Sequence, residues 1–115
     1  MVPSHKPIVW GLFAAGGTVA AFVLPVILLL TGLGVAIGLL PADFLAYENV
    51  HALLSHPLTR LATFGILFLV VWHAAHRMRI TAHDVGIRAD TLMAVLLYGI
   101  AAACTMLLGI ALIQL

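Results

Sequence analysis

From Pro7 to Ala42 the chain carries no charged side chain, and Leu61–Ala75 and Thr91–Leu115 repeat that pattern. Hydrocarbon offers no water to the peptide N–H and C=O groups, so a segment crossing it alone must satisfy them internally as a helix. About 20 residues suffice to span a bilayer, and each stretch, with its flanks, supplies that length. The chain is 64% hydrophobic and 8% charged over 115 residues, whereas soluble domains carry about 25% charged residues. We therefore expect an all-α membrane protein with three transmembrane helices, a single membrane-anchor domain over residues 1–115. The lipid bilayer is its expected surroundings, and nucleic acid is not an expected partner.

Pro7 suits the first turn of a helix. The 33 residues Ile8–Leu40 would make a helix of roughly 50 Å at 1.5 Å per residue. That exceeds a hydrocarbon core of about 30 Å, so the segment must tilt, kink or leave the core early. Pro25 offers the kink, and Gly32 and Gly34 offer a break. The first span is expected near 9–34. It outruns the ~7–15 residue apolar core of a signal peptide and shows no cleavage site, so a removable leader is not expected.

Pro41-Ala42-Asp43 should end this helix, with Asp43 capping a short helix to about Leu54. Phe44, Tyr47, Val50 and Leu54 recur at helical spacing, which predicts an amphipathic interfacial helix between the first and second spans. Ser55-His56-Pro57 should close it. The second span is expected over 58–78, with Arg60 and Arg77 snorkelling outward at opposite ends. A polar loop then leads to Asp90, expected to cap a third span over 91–114.

With three spans, the N-terminus and the second loop share one side of the membrane. That side holds Lys6, Arg77, Arg79 and Arg88; the other holds Arg60 beside Asp43 and Glu48. The positive-inside rule places the N-terminus in the cytoplasm.

The same topology sets Trp10 and Phe13, which open the first span, level with His76 and Arg77, which close the second. On a helix Trp72, His73, His76 and Arg77 fall within an arc of about 140°. Ionisable groups at such a depth are costly and mark functional sites. Aromatic rings, imidazole and guanidinium beside apolar sequence suit an amphipathic ring ligand such as a quinone. An aromatic belt with snorkelling arginine and headgroup-binding histidine fits the same residue types. Bis-histidine haem needs ligands from facing helices, and the first and third spans contain no histidine, so this chain alone cannot complete that site and a partner would have to provide the second ligand. Glu48, His51 and His56 do not make a metal motif, because Ala52 follows His51 and His56 adjoins Pro57. No metal site is expected.

Small residues crowd the spans: Ala14, Ala15, Gly16 and Gly17 in the first, Ala101-Ala102-Ala103-Cys104 in the third. Gly34 and Gly38 form a GxxxG. Such residues let helices approach closely, which points to packing against other helices. Cys104 reads as one of these small packing residues. As the only cysteine, it excludes a disulfide framework within the chain.

Trp10-Gly11-Leu12-Phe13 followed by Gly16-Gly17 and Pro25-Val26 resembles the D-subunit of bacterial fumarate reductase, a hydrophobic membrane anchor. Leu40-Pro41-Ala42-Asp43 with Tyr47-Glu48, then His76-Arg77-Met78 and His83-Asp84, continue the resemblance in order across essentially the whole chain. It implies a non-catalytic anchor in a quinol:fumarate reductase of the bacterial cytoplasmic (inner) membrane, acting in anaerobic fumarate respiration. The implied partners are a sister hydrophobic anchor, an iron–sulfur subunit and a flavoprotein subunit. FAD and the iron–sulfur clusters belong to those partners, and menaquinone is shared with the sister anchor. Carried over by motif, Trp10, Phe13, His76 and Arg77 would line the quinone pocket, and the pocket's protonatable carboxylate would come from the sister. The form most resembled works without haem. Relatives often place histidine just after His-Arg-Met, where this chain has Arg79 and Ile80.

Physical chemistry divides the implied roles. Arg77, permanently charged, would favour negative charge developing on a quinone oxygen. Histidine exchanges protons near neutral pH, which suits His76 to a step that releases them. Trp10 can donate its indole N–H while its ring packs on the ligand. Met78–Asp84 is expected to be a basic docking loop, and His73 to serve packing or support. Two other functions fit the three-span layout: an anchor of a haem b succinate dehydrogenase, and a non-redox membrane peptide that modulates or stabilises another assembly.

Overall fold

A computed structural model describes residues 3–115, and four helices make up most of them. Helix α1 runs Lys6–Leu28 and passes without interruption into a π-helical segment, Leu29–Gly34. Helix α2 is Tyr47–Ser55, α3 is Pro57–Asp84 and α4 is Asp90–Ile113. Three of these, counting α1 with its π segment, are long and apolar enough to cross a membrane, and no strand occurs among the described residues. The molecule measures 53 Å along its longest axis, more than a hydrocarbon core of about 30 Å.

Pro25 leaves α1 helical but disturbs its ladder: it has no N–H to give, and its ring crowds the preceding turn. The register changes to π one turn later, at Leu29, a known response to insertion or loss in the i→i−4 ladder. Thr31 Oγ1 donates to the Ile27 carbonyl at 2.8 Å within this stretch. Gly32 does not break the helix. The stop comes at Gly38, whose φ of +75° is open to glycine, and the Leu40 N–H then donates to the Gly34 carbonyl. Gly34 and Gly38 therefore finish a helix rather than form an interhelical GxxxG, and the space above Gly34 is filled by Leu40 of the same segment.

The connection to α2 corrects one expectation. Asp43 is not a cap: α2 begins four residues later, after Ala46, with no side-chain capping bond. Pro41–Ala46 instead forms turns, in which the Asp43 carbonyl accepts from the Ala46 N–H and the Asn49 side-chain amide. His56 does close α2, in extended geometry before Pro57, and its Nδ1 accepts the Leu58 N–H to cap α3. Arg60 does not simply snorkel. Its guanidinium donates to the Leu54 and Ser55 carbonyls at 3.4 and 3.3 Å, satisfying the open C-terminus of α2 and pinning it to α3.

The largest correction concerns the second span. Helix α3 does not end near 78; it continues to Asp84, so the expected docking loop Met78–Asp84 is helical. Arg77, Met78, Arg79 and Ala82 are good helix formers, and polarity alone does not stop a helix. Gly86 does, at φ +94°. The Ile87 N–H reaches the Ala82 carbonyl and the Gly86 N–H reaches His83, the paired bonds of a Schellman ending. Asp90 is likewise not the cap of α4, which falls on Ala89. It stands in the first turn, where a carboxylate complements the helix dipole.

Helix α3 is the middle of the bundle and makes the two main seams, with α1 on one side and α4 on the other. The α1 seam is close because Gly16 is buried in it: a Cβ there would lie 2.5 Å from the Leu69 carbonyl oxygen and 2.7 Å from His73 Cβ. The α4 seam is antiparallel and carries three polar ties at successive turns. Trp72 Nε1 donates to Thr105 Oγ1 at 3.0 Å, His76 Nδ1 meets the Tyr98 hydroxyl at 2.6 Å, and Arg79 grips Asp90. Cys104 is exposed on α4, so it is not a packing residue of this seam.

The Thr105 hydroxyl both accepts from Trp72 and donates to the Ala101 carbonyl at 2.8 Å. Thr105→Val keeps the shape and orphans the indole N–H. Stability in micelles is expected to fall by about 1 kcal/mol, read as an earlier midpoint in a denaturing-detergent titration.

Candidate functional site

Where the N-terminal turn of α1 meets the middle of the bundle, a groove of about 800 Å³ opens, within the range of small-molecule sites. Trp10, Leu12 and Phe13 come from α1, Leu69, Trp72, His73 and His76 from α3, and Tyr98 from α4; Ser4, His5 and Lys6 stand at its N-terminal edge. Apolar side chains make most of the wall, and the polar groups are few.

Phe13 is the keystone of the arrangement. Its ring stacks on His73 with centroids 4.4 Å apart and meets His76 edge-on at 4.8 Å. Its carbonyl accepts from His73 Nδ1 at 2.8 Å. A carbonyl can only accept, so His73 carries its proton on Nδ1. The imidazole lies over Gly17, where a Cβ would sit 2.8 Å from Cε1. His73 is thus held by the ring, the carbonyl and the glycine of α1 together, and it also forms part of the groove wall.

His76 is oriented from the opposite side. Besides its 2.6 Å bond to the Tyr98 hydroxyl, its ring stacks on Tyr98 at 6.3 Å. Tyr98 in turn stacks on Trp72 at 6.0 Å and has the Arg79 guanidinium 5.8 Å above its ring centroid. Phe64, Phe68, Trp72, Tyr98 and His76 form one aromatic column along the seam. The Trp72 indole N–H is committed to Thr105, so Trp72 offers the groove only its ring. Trp10 is 71% exposed and makes no side-chain hydrogen bond among the described residues, which leaves its N–H free to donate.

Trp10, Phe13 and His76 thus meet in one groove, at the level topology implied. Arg77 does not line it: the side chain is exposed and outside the groove wall. One residue of rotation separates it from His76, and about 100° is enough to turn it outward. Tyr98, to which the sequence motifs do not point, completes the wall. Its signal is slight, a lone tyrosine in an otherwise apolar span. Arg79, expected in a loop, closes an ion pair with Asp90 beneath His76, Nε to Oδ1 at 2.8 Å with a second bond from the other guanidinium nitrogen. Among the described residues no group of His, Cys, Asp and Glu is placed to hold a metal ion.

Three membrane-length helices with an aromatic and imidazole groove at one end define a small multi-pass membrane protein. Most of its large apolar side chains are exposed, Phe22, Leu28 and Leu107 among them. A family model for the fumarate reductase D-subunit matches residues 1–113. The chain is 38% identical to a fumarate reductase D-subunit from a Shewanella species over 112 residues, covering 97% of this chain and 93% of that one. The corresponding protein of Vibrio parahaemolyticus is 36% identical over 104 residues, covering 90% and 83%. That of Mycobacterium bovis is 39% identical over 100 residues, covering 85% and 78%. The chain belongs to the fumarate reductase D-subunit family.

Proposed function

We propose that this membrane-anchor subunit of fumarate reductase holds menaquinol in the α1–α3 groove, for oxidation by the partner subunits of the complex. One observation carries the proposal: Trp10, Phe13 and His76 converge on a single apolar groove at the end of the bundle that also holds Lys6, Arg77, Arg79 and Arg88. The groove suits the ligand's chemistry. A quinol has a flat aromatic head, a hydrocarbon tail and two ring oxygens; the groove offers ring faces, apolar walls and a few hydrogen-bonding groups. Bound there, the quinol supplies two electrons and two protons.

The chain's residues would act as follows. Trp10 and Phe13 pack the ring and exclude water, and the Trp10 N–H donates to a ring oxygen. His76, held by Tyr98 and Phe13, exchanges a proton with the other. Arg77 adds positive charge from outside the wall. The cationic end faces the cytoplasm by the positive-inside rule, against an iron–sulfur subunit that takes the electrons and a flavoprotein subunit that reduces fumarate. A sister hydrophobic anchor would cover part of the exposed apolar surface and supply the rest of the pocket. The complex would stand in the bacterial inner membrane.

In the purified complex, Trp10→Ala is expected to weaken binding of the quinone analogue 2-heptyl-4-hydroxyquinoline N-oxide about tenfold, corresponding to about 1.4 kcal/mol. Fluorescence titration measures it, and unchanged affinity would refute the site. Because Arg77 stands outside the wall, Arg77→Gln should cost less quinol oxidation than any comparable change at His76.

A further inference from the structure

Beneath the groove lies a second cavity of about 370 Å³, lined by His76, Arg79, Ile80, His83 and Asp90. Apolar surface predominates in both, but four of the five residues around the second carry ionisable groups, which are a minority around the first. His76 is the one residue that lines both. We propose that His76 is a proton gate between them, passing protons released in the groove into the lower cavity and out past His83. This rests on the groove being the quinol site.

Two protons must leave for each quinol oxidised, while its two electrons go to the iron–sulfur acceptor of the partner subunit. Trp10, Phe13, Leu12 and Leu69 offer a proton no acceptor, and Ser4, His5 and Lys6 stand only at the N-terminal edge of the groove. The His76 imidazole does offer one: in the tautomer that donates from Nδ1 to the Tyr98 oxygen, Nε2 can take up a proton from the ligand and give it up to water in the cavity that the ring also lines, leaving the ring unchanged. The cavity beyond has the volume for a chain of waters, each occupying about 30 Å³ and needing two to four polar partners. The Arg79–Asp90 pair supplies such partners as a fixed wall. His83 is exposed, on the last turn of α3, and can hand the proton to bulk water.

The charged and titratable groups around His76 come from all three long helices. His73, Arg77, Arg79 and His83 lie on α3, Asp90 and Tyr98 on α4, and His5 and Lys6 at the start of α1. Tyr98 fixes the ring's orientation through the Nδ1 bond, and Phe13 fixes it by edge contact. The other imidazoles do not bridge the two cavities: His5 and His73 line only the groove, and His83 lines only the cavity below.

The test uses the assembled complex with two variants of the lower cavity, Ile80→Phe, which fills it, and His83→Leu, which removes its outlet. Neither residue lines the groove. Turnover with a soluble menaquinol analogue, normalised to the flavin of the partner subunit, is expected to fall about tenfold in each. Affinity for 2-heptyl-4-hydroxyquinoline N-oxide should stay within about twofold. Added imidazole or formate, small enough to carry protons into the cavity, should restore most of the His83→Leu rate. Wild-type turnover in both variants overturns the gate while leaving the quinol site standing. So does a slowed rate that neither buffer rescues, and so does loss of analogue binding, which would show the cavity acting through the groove's shape. Failure of the quinol site itself has a separate signature, unchanged analogue affinity in Trp10→Ala.

Discussion

His76→Gln is expected to slow quinol oxidation by the assembled complex about a hundredfold, at the lower end of what positioned acid–base groups contribute. Glutamine keeps a hydrogen-bonding side chain near the Tyr98 hydroxyl and roughly the length of the imidazole, so the α3–α4 seam should hold. It cannot take up a proton and give it up again. The measurement is turnover with a menaquinol analogue in the purified complex, normalised to partner flavin, with bound analogue titrated in parallel. A rate within threefold of wild type would remove His76 from the chemistry. Tyr98→Phe is the graded companion: it keeps the ring stack on Trp72 and His76 and deletes the 2.6 Å bond, and a smaller loss is expected, because the Phe13 contact still positions the ring.

Gly16→Val should have the largest effect on assembly. Even the first added carbon would lie 2.5 Å from the Leu69 carbonyl and 2.7 Å from His73 Cβ. Both obstacles are backbone or its immediate branch, so neither can rotate away; α1 must separate from α3. Overpacking of this kind costs about 1–3 kcal/mol or more, and here it also pulls Phe13 from His73 and opens the groove. Yield of the intact complex from solubilised membranes is expected to drop at least tenfold. Gly11→Ala is the control, since nothing lies within 4 Å of its added carbon and alanine favours helix. Equal yields from the two variants would show that the close approach at Gly16 does not hold the bundle together.

Gly16 and Gly17 show how much of the fold could be read without coordinates. The sequence marks them as small residues in a span, and so as places for close approach, but not which helix approaches or where. Gly34 and Gly38 look equally persuasive as a GxxxG, yet they end a helix. Small-residue spacing alone does not separate the two cases; the φ of +75° at Gly38 does. The loop expected over Met78–Asp84 failed for a related reason. A drop in hydropathy marks where a helix leaves the hydrocarbon, not where it stops, and the stop signal was Gly86.

The site was legible in part. Trp10, Phe13 and His76 could be brought to one level by counting spans, because membrane thickness ties position along one helix to position along the next. Counting spans gives depth but not rotation. Arg77 has the depth of the groove but turns away from it, whereas Tyr98, from the third span, shares both its depth and its facing.

The division follows from range. Apolar length and the placement of charge are local properties, and the bilayer alone converts them into three crossings and an expected orientation. What faces what depends on helix rotation and register, set by steric fits such as Gly16 on Leu69 and by ties such as Arg79 with Asp90. Lipid tails are as apolar as leucine, so hydropathy cannot favour one face of these helices over another. The three crossings were therefore decided by sequence, and the groove, its Tyr98 wall and the cavity below His76 by the packing of α1 and α4 against α3.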